Sequence, residues 1–321
     1  MKTPLHPSST YSIAEIIGQR DVVGFNVGPG GEVYIVMALK PLDYRTTGAS
    51  SATFAKTIPS TPQKYRVLAL NAGKVELDVV IEHERFNIHD IQPVGNEILL
   101  ACLRSVYRSS CDFDLNGRIY NRDGTFLRGL LLGDGIESIQ ATRRGEIWVS
   151  YFDEGIFGNF GWRNPVGAAG LIAWSDLGEK KYEFEPAGSM DTISDCYALN
   201  VATDDDVWCY YYTEFPIVHL HKKKIVSTWQ SPVRGSHAFA VANRHILFMG
   251  GYDNRSALQL VQLDSEGKAT LTDQFELLSE NGEIVIPKRT IGRGERLYIL
   301  SQENLYTVSL ADIFAKRDGY V

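Results

Sequence analysis

The sequence predicts an all-β fold: a single six-bladed β-propeller whose last blade is closed by an N-terminal strand. Three observations predict it. Short β-prone runs alternate with turn residues, one apolar run returns six times, and no stretch before the C-terminal end sustains a helical period. The clearest unit runs from Glu137 to Phe184. It contains Glu137–Thr142, a corner at Arg143-Arg144-Gly145, Glu146–Tyr151, a long loop, Gly170–Trp174, a turn at Asp176–Glu179, and Lys181–Phe184. Four such runs with turn chemistry between them make a four-stranded antiparallel blade.

The apolar run recurs at Gly31–Val36, Asn96–Ala101, Glu146–Val149, Asp206–Tyr210, His245–Phe248 and Glu295–Leu300. The first apolar residues of these runs lie 65, 49, 60, 39 and 51 positions apart, which makes six units. A strand precedes each: Val22–Val27, Asp90–Val94, Ser138–Thr142, Tyr197–Ala202, Ala238–Val241 and Thr290–Gly292. Outer hairpins follow, with turns at Asn71–Lys74, Arg122–Thr125, Asp176–Gly178 and Asp264–Gly267, because Asn, Asp and Gly tolerate positive φ. Lys222-Lys223-Lys224 reads as a further solvated turn.

The sixth unit has a third strand at Asn304–Leu310 and no fourth. Tyr11–Ile17 belongs to no unit of its own, so residues 11–18 are expected to supply the missing outer strand and remove an open edge. The expected blades are residues 21–85, 86–134, 135–187, 188–232, 233–278 and 279–313, in one domain. Leu310–Lys316 can form about two helical turns. Helical crossovers that would indicate a parallel α/β sheet are absent from the pattern.

A net charge of −7 argues against nucleic acid, because phosphate binding needs an excess of Lys and Arg. The N-terminal residues lack an apolar signal core, and no run reaches the roughly 18 apolar residues of a membrane span, so a cytoplasmic protein is expected. Cys102, Cys111, Cys196 and Cys209 show neither C-x-x-C pairing nor zinc-finger spacing and are expected as free thiols. Gly28-Pro29-Gly30-Gly31 lacks the Lys-Ser/Thr and helix of a phosphate loop, and no G-x-S-x-G elbow is present.

Gly117-Arg118-Ile119-Tyr120-Asn121-Arg122-Asp123-Gly124, followed by Phe126-Leu127-Arg128-Gly129, resembles blades of NHL-type and SMP-30-like six-bladed propellers. The resemblance extends loosely over residues 12 to 313. The SMP-30-like resemblance implies a lactonase with a divalent metal at the channel mouth, held by Glu, Asn and Asp side chains.

In a propeller, loops entering first strands and loops joining second to third strands gather on one face. The entering loops contribute His89, Asp90, Glu137, Asp195, His237, Lys288 and Arg289 to a polar mouth of mixed sign. Three joining loops are long enough to suggest function. Residues 41–63 offer Tyr44 and Arg45, and residues 105–116 offer Tyr107 and Arg108. Residues 153–169 offer Asp153, Glu154, Phe157, Phe160, Trp162 and Arg163 among glycines, with Trp and Arg the favoured anchors for a partner. Asp112, Asp114 and Asn116, with Asp123 at the twelfth place, resemble the oxygen spacing of an EF-hand calcium loop. The leading expectation is a non-enzymatic binding module for a protein or small ligand, without a cofactor. A metal-dependent hydrolase is the alternative.

Overall fold

The structure, a computed structural model, describes residues 2–47 and 53–317. It is an all-β, six-bladed β-propeller in which each blade is an antiparallel sheet built on four consecutive strand positions. The chain gathers into two compact units, one of residues 17–185 and one of residues up to 16 with residues from 186 onward. Each unit carries three blades.

In the 17–185 unit, the first blade is Val22–Val27, Val33–Ala38, Gln63–Asn71 and Lys74–Glu84. Asp90–Val94, Glu97–Ala101, Gly117–Tyr120 and Phe126–Leu130 form the second. Ile136–Ala141, Ile147–Tyr151, Leu171–Trp174 and Lys180–Glu183 form the third. The recurring apolar runs are the second strands. They are near-continuous in hydrophobicity because neighbouring sheets cover both faces. Val36, Ile98 and Leu100 illustrate this, packed in one buried cluster with Tyr65, Ile81 and Ile88. Burying a side chain of this size stabilises by about 1.5–3 kcal/mol.

The other unit holds a blade of Asp195–Val201, Asp206–Tyr212, Pro216–His221 and Lys224–Gln230, and another of Ala238–Ala242, His245–Met249, Ala257–Leu263 and Ala269–Leu277. The last blade has Arg289–Arg293, Arg296–Ser301 and Asn304–Ser309, and Ser9–Ser12 supplies its fourth strand by pairing antiparallel with Asn304–Thr307. The expected closure is therefore present, displaced toward the N-terminus. Only Tyr11 and Ser12 of the expected strand are in the ladder, while Ala14–Ile17 is a short helix. Ile13, just before that helix, and Ile17, its last residue, are both buried. Thr3–Leu5, unforeseen, adds a fifth strand to the preceding blade in parallel with Phe275–Leu277. Leu310–Arg317 is a helix that packs Leu310 and Ile313 into a buried cluster with Leu5, Phe275 and Leu277.

Several polar side chains on the first strands are covered and not in water. Asn26, Gln92 and Asn200 are buried, and their amides join neighbouring blades. The Asn26 amide N–H donates to Asp90 and to the Ile139 carbonyl. Gln92 donates to the Val27 carbonyl and accepts from the Ala141 N–H. Asn200 donates to the carbonyls of Phe239 and Gly294 and accepts from the Gly294 N–H. Each amide thus bonds to groups of the two following blades, or of the two flanking it, all of them backbone except the Asp90 carboxylate.

Candidate functional site

The two long insertions of the second and third blades are one packed body. Arg104 is its centre: Nε and Nη2 lie 2.8 and 2.9 Å from the two carboxylate oxygens of Asp134, and Nη1 lies 2.5 Å from Glu154 Oε2. Its guanidinium also sits 4.3 Å from the Phe160 ring centroid. Burial works against the charge on Arg104, and Asp134 and Glu154 more than offset it, so its pKa rises above the ordinary value. Glu154 is in the first turn of a short helix, Asp153–Phe157, inside what was expected to be a loop.

Trp162, expected to be an exposed anchor, is only 8% exposed. Its indole N–H donates to the Ser105 carbonyl at 2.8 Å, and its ring lies 4.9 Å from Tyr107 and 6.2 Å from Phe113. The Tyr107 N–H donates to the Phe160 carbonyl at 2.9 Å. Gly161, at φ 89°, lies against the Tyr107 carbonyl where a Cβ would collide. The indole is thus the core of the insertion pair, because a large apolar ring with one donor is stable only where both are covered. What the pair presents outward is Phe157, 70% exposed, together with Arg163, Asp153 and Arg108.

The 41–63 insertion begins with a residue that also packs inward. The Tyr44 hydroxyl donates to the Ile88 carbonyl at 2.5 Å beside the Tyr65 hydroxyl, and its ring meets His89 edge-on at 4.9 Å. The Tyr65 hydroxyl is pushed up to about 12, by burial above all. Arg45 lies exposed on the small hairpin Arg45–Thr47 and Thr53–Ala55, while residues 48–52 of this insertion lie outside the described residues. A hydrogen bond from Lys56, aided by the Ser60 N–H, draws Asp43 down to about 2 and ties the base of the hairpin.

The EF-hand-like residues have partners within the protein. Asp112 and Asp114 pair with Arg108, and Asp114 also accepts from the Val106 N–H. Asn116 is committed to the Cys102 and Gly133 carbonyls and the Leu132 N–H. Asp123 lies in the turn after Gly117–Tyr120, its N–H donating to Asn121. Among the described residues no group of three or more His, Cys, Asp or Glu is placed to hold a metal ion. Asp90, expected at an open mouth, is buried and accepts from Asn26 and from the Ile91 N–H. His89 Nδ1 faces the Leu103 N–H at 3.4 Å, and Glu137 is half-buried on its strand. Asp195, His237 and Arg289 belong to the other unit.

That unit contains a cleft of about 500 Å³ on the loops entering two first strands and the loop joining Met249 to Ala257. His237, Arg255, Lys288 and Arg289 line it, with Tyr252 and the backbone of Gly250 and Gly251, and no Asp or Glu is among the lining residues. The His237 ring stacks on Tyr197 at 4.7 Å, and the hydroxyls of Tyr197 and Tyr252 are 2.6 Å apart. Sequence reasoning reached His237, Lys288 and Arg289 through their entering loops and missed Tyr252 and Arg255. The available signal was Gly250-Gly251 directly after a second strand, where positive φ at both turns the chain back over the cleft.

No helix among the described residues is long and apolar enough to cross a membrane. The YxzG family model matches residues 170–308, which is less than half of the chain. No curated protein matches the sequence. Among solved structures, the chain is similar to one in the crystal structure of the mitotic checkpoint complex, at 9% identity over 96% of this chain and 93% of that one, with a TM-score of 0.49. It is also similar to the WD40 β-propeller domain of Doa1, at 9% identity over 95% of this chain and 96% of that one, with a TM-score of 0.44.

Proposed function

We propose that this chain is a non-enzymatic binding propeller that recognises a protein partner through the insertions of the 17–185 unit. One observation carries the reading: the 105–116 and 153–169 insertions are locked to each other from within by Arg104, Asp134, Glu154 and Trp162, yet present Phe157 and Arg163 outward. A surface that is ordered before binding loses little conformational entropy on association. Exposing a phenylalanine beside arginine on such a surface suits an anchor that a complementary pocket covers. The free cysteines Cys102, Cys111, Cys196 and Cys209 support a reducing, cytoplasmic setting for that partner.

The test compares full-length wild type with the Phe157→Glu, Arg163→Glu double variant as bait, after both are shown to melt at the same temperature. The expected result is a protein retained by the wild type and lost from the variant. Equal retention by the two, or retention by neither, would remove the reading.

A further inference from the structure

The cleft of the other unit concentrates positive charge in a chain whose net charge is −7. Random placement on an acidic protein does not favour three cationic side chains and a histidine around one cavity with no carboxylate among its lining residues. Low-dielectric walls focus such a field inward. Arg255 and Lys288 are exposed, and neither side chain has a hydrogen bond or ion pair among the described residues, so each is available to a ligand. Arg289 and His237 already have contacts of their own and form the more fixed side of the cleft.

The opposite character is supplied by Tyr252. Its ring lies against Gly235, where a Cβ would collide with it, and its hydroxyl is held by Tyr197. The cleft therefore pairs a fixed aromatic wall with a cationic rim, in a volume of the size that holds a small ligand. We infer that this cleft binds a small organic oxyanion, a phosphate monoester or a carboxylate, that carries a planar ring. The oxyanion pairs with Arg255 and Lys288, whose charge-assisted hydrogen bonds suit either group, and the ring packs on Tyr252. This site is separate from the protein-binding insertions and does not depend on that reading.

The experiment is titration calorimetry on the full chain with phenyl phosphate, adenosine monophosphate and phenylacetate, each beside its neutral counterpart, phenol, adenosine and phenylethanol. At least one charged probe is expected to bind at millimolar concentration or below, its neutral counterpart is not, and raised salt is expected to weaken the binding. Which charged probes bind separates phosphate from carboxylate. Arg255→Gln and Lys288→Gln should each weaken binding roughly tenfold without moving the melting temperature. Failure of every charged probe to bind, equal binding of a neutral counterpart, or unchanged affinity in the double variant would overturn the inference.

Discussion

Asn200 shows how much of the structure is decided by single side chains. Its amide reaches carbonyls 39 and 94 residues further along the chain, at 2.8 and 3.0 Å, and takes the Gly294 N–H at 2.8 Å. Asn200→Leu keeps the approximate volume and removes all three hydrogen bonds, two of them to Gly294, whose carbonyl keeps only the Val241 N–H. A loss of about 3 kcal/mol is expected, read as a lowered urea midpoint with unchanged slope. None of this was visible in the sequence, where a polar residue in a β-run of a propeller reads as facing water. Which backbone group it meets depends on blades not yet formed. The same limit applied to Trp162 and Tyr44, whose loop positions suggested exposure while their donors and rings were covered by partners far away in sequence. Arg104 was missed for a similar reason: a lone arginine at the end of a strand carries no pattern until Asp134 and Glu154 stand beside it.

Elements were more legible than residues. Val22–Val27 and Asp90–Val94 have the expected bounds, because β-branched and apolar residues there stop at Gly, Pro or charged turns. The helix Asp153–Phe157 was hidden because five residues are too few to show a period of 3.6. Lys222-Lys223 was legible as a turn, and its geometry adds a prediction. Both residues adopt positive φ, 49° and 65°, in a two-residue hairpin between His221 and Lys224. The left-handed region is unfavourable for lysine, whereas Asn-Gly is the pair this turn prefers. Replacing Lys222-Lys223 with Asn-Gly should therefore stabilise the protein by about 1 kcal/mol, seen as a higher melting temperature; an unchanged or lower one would contradict the argument.

At the scale of the molecule, the repeat of six apolar runs was enough to give the blade number, and the unit short of a strand was enough to give the closure. The register was not readable, since the helix Ala14–Ile17 is too short to show a period that would separate it from the strand before it. Deleting residues 2–12 removes Thr3–Leu5 and Ser9–Ser12 together and exposes the outer edges of two blades. The cost is roughly 1 kcal/mol for each ladder hydrogen bond lost, in addition to uncovering Leu5, so a marked fall in melting temperature is expected. A truncated protein as stable as the full chain would show the two strands to be dispensable.

The pairing of Thr3 with Phe275 and of Thr10 with Tyr306 also orders events in time. During synthesis these two strands leave the ribosome long before the strands they pair with. Until those partners have emerged, they remain unpaired. Contacts so distant in sequence make closure slow, and the newborn protein is most vulnerable to aggregation in that interval.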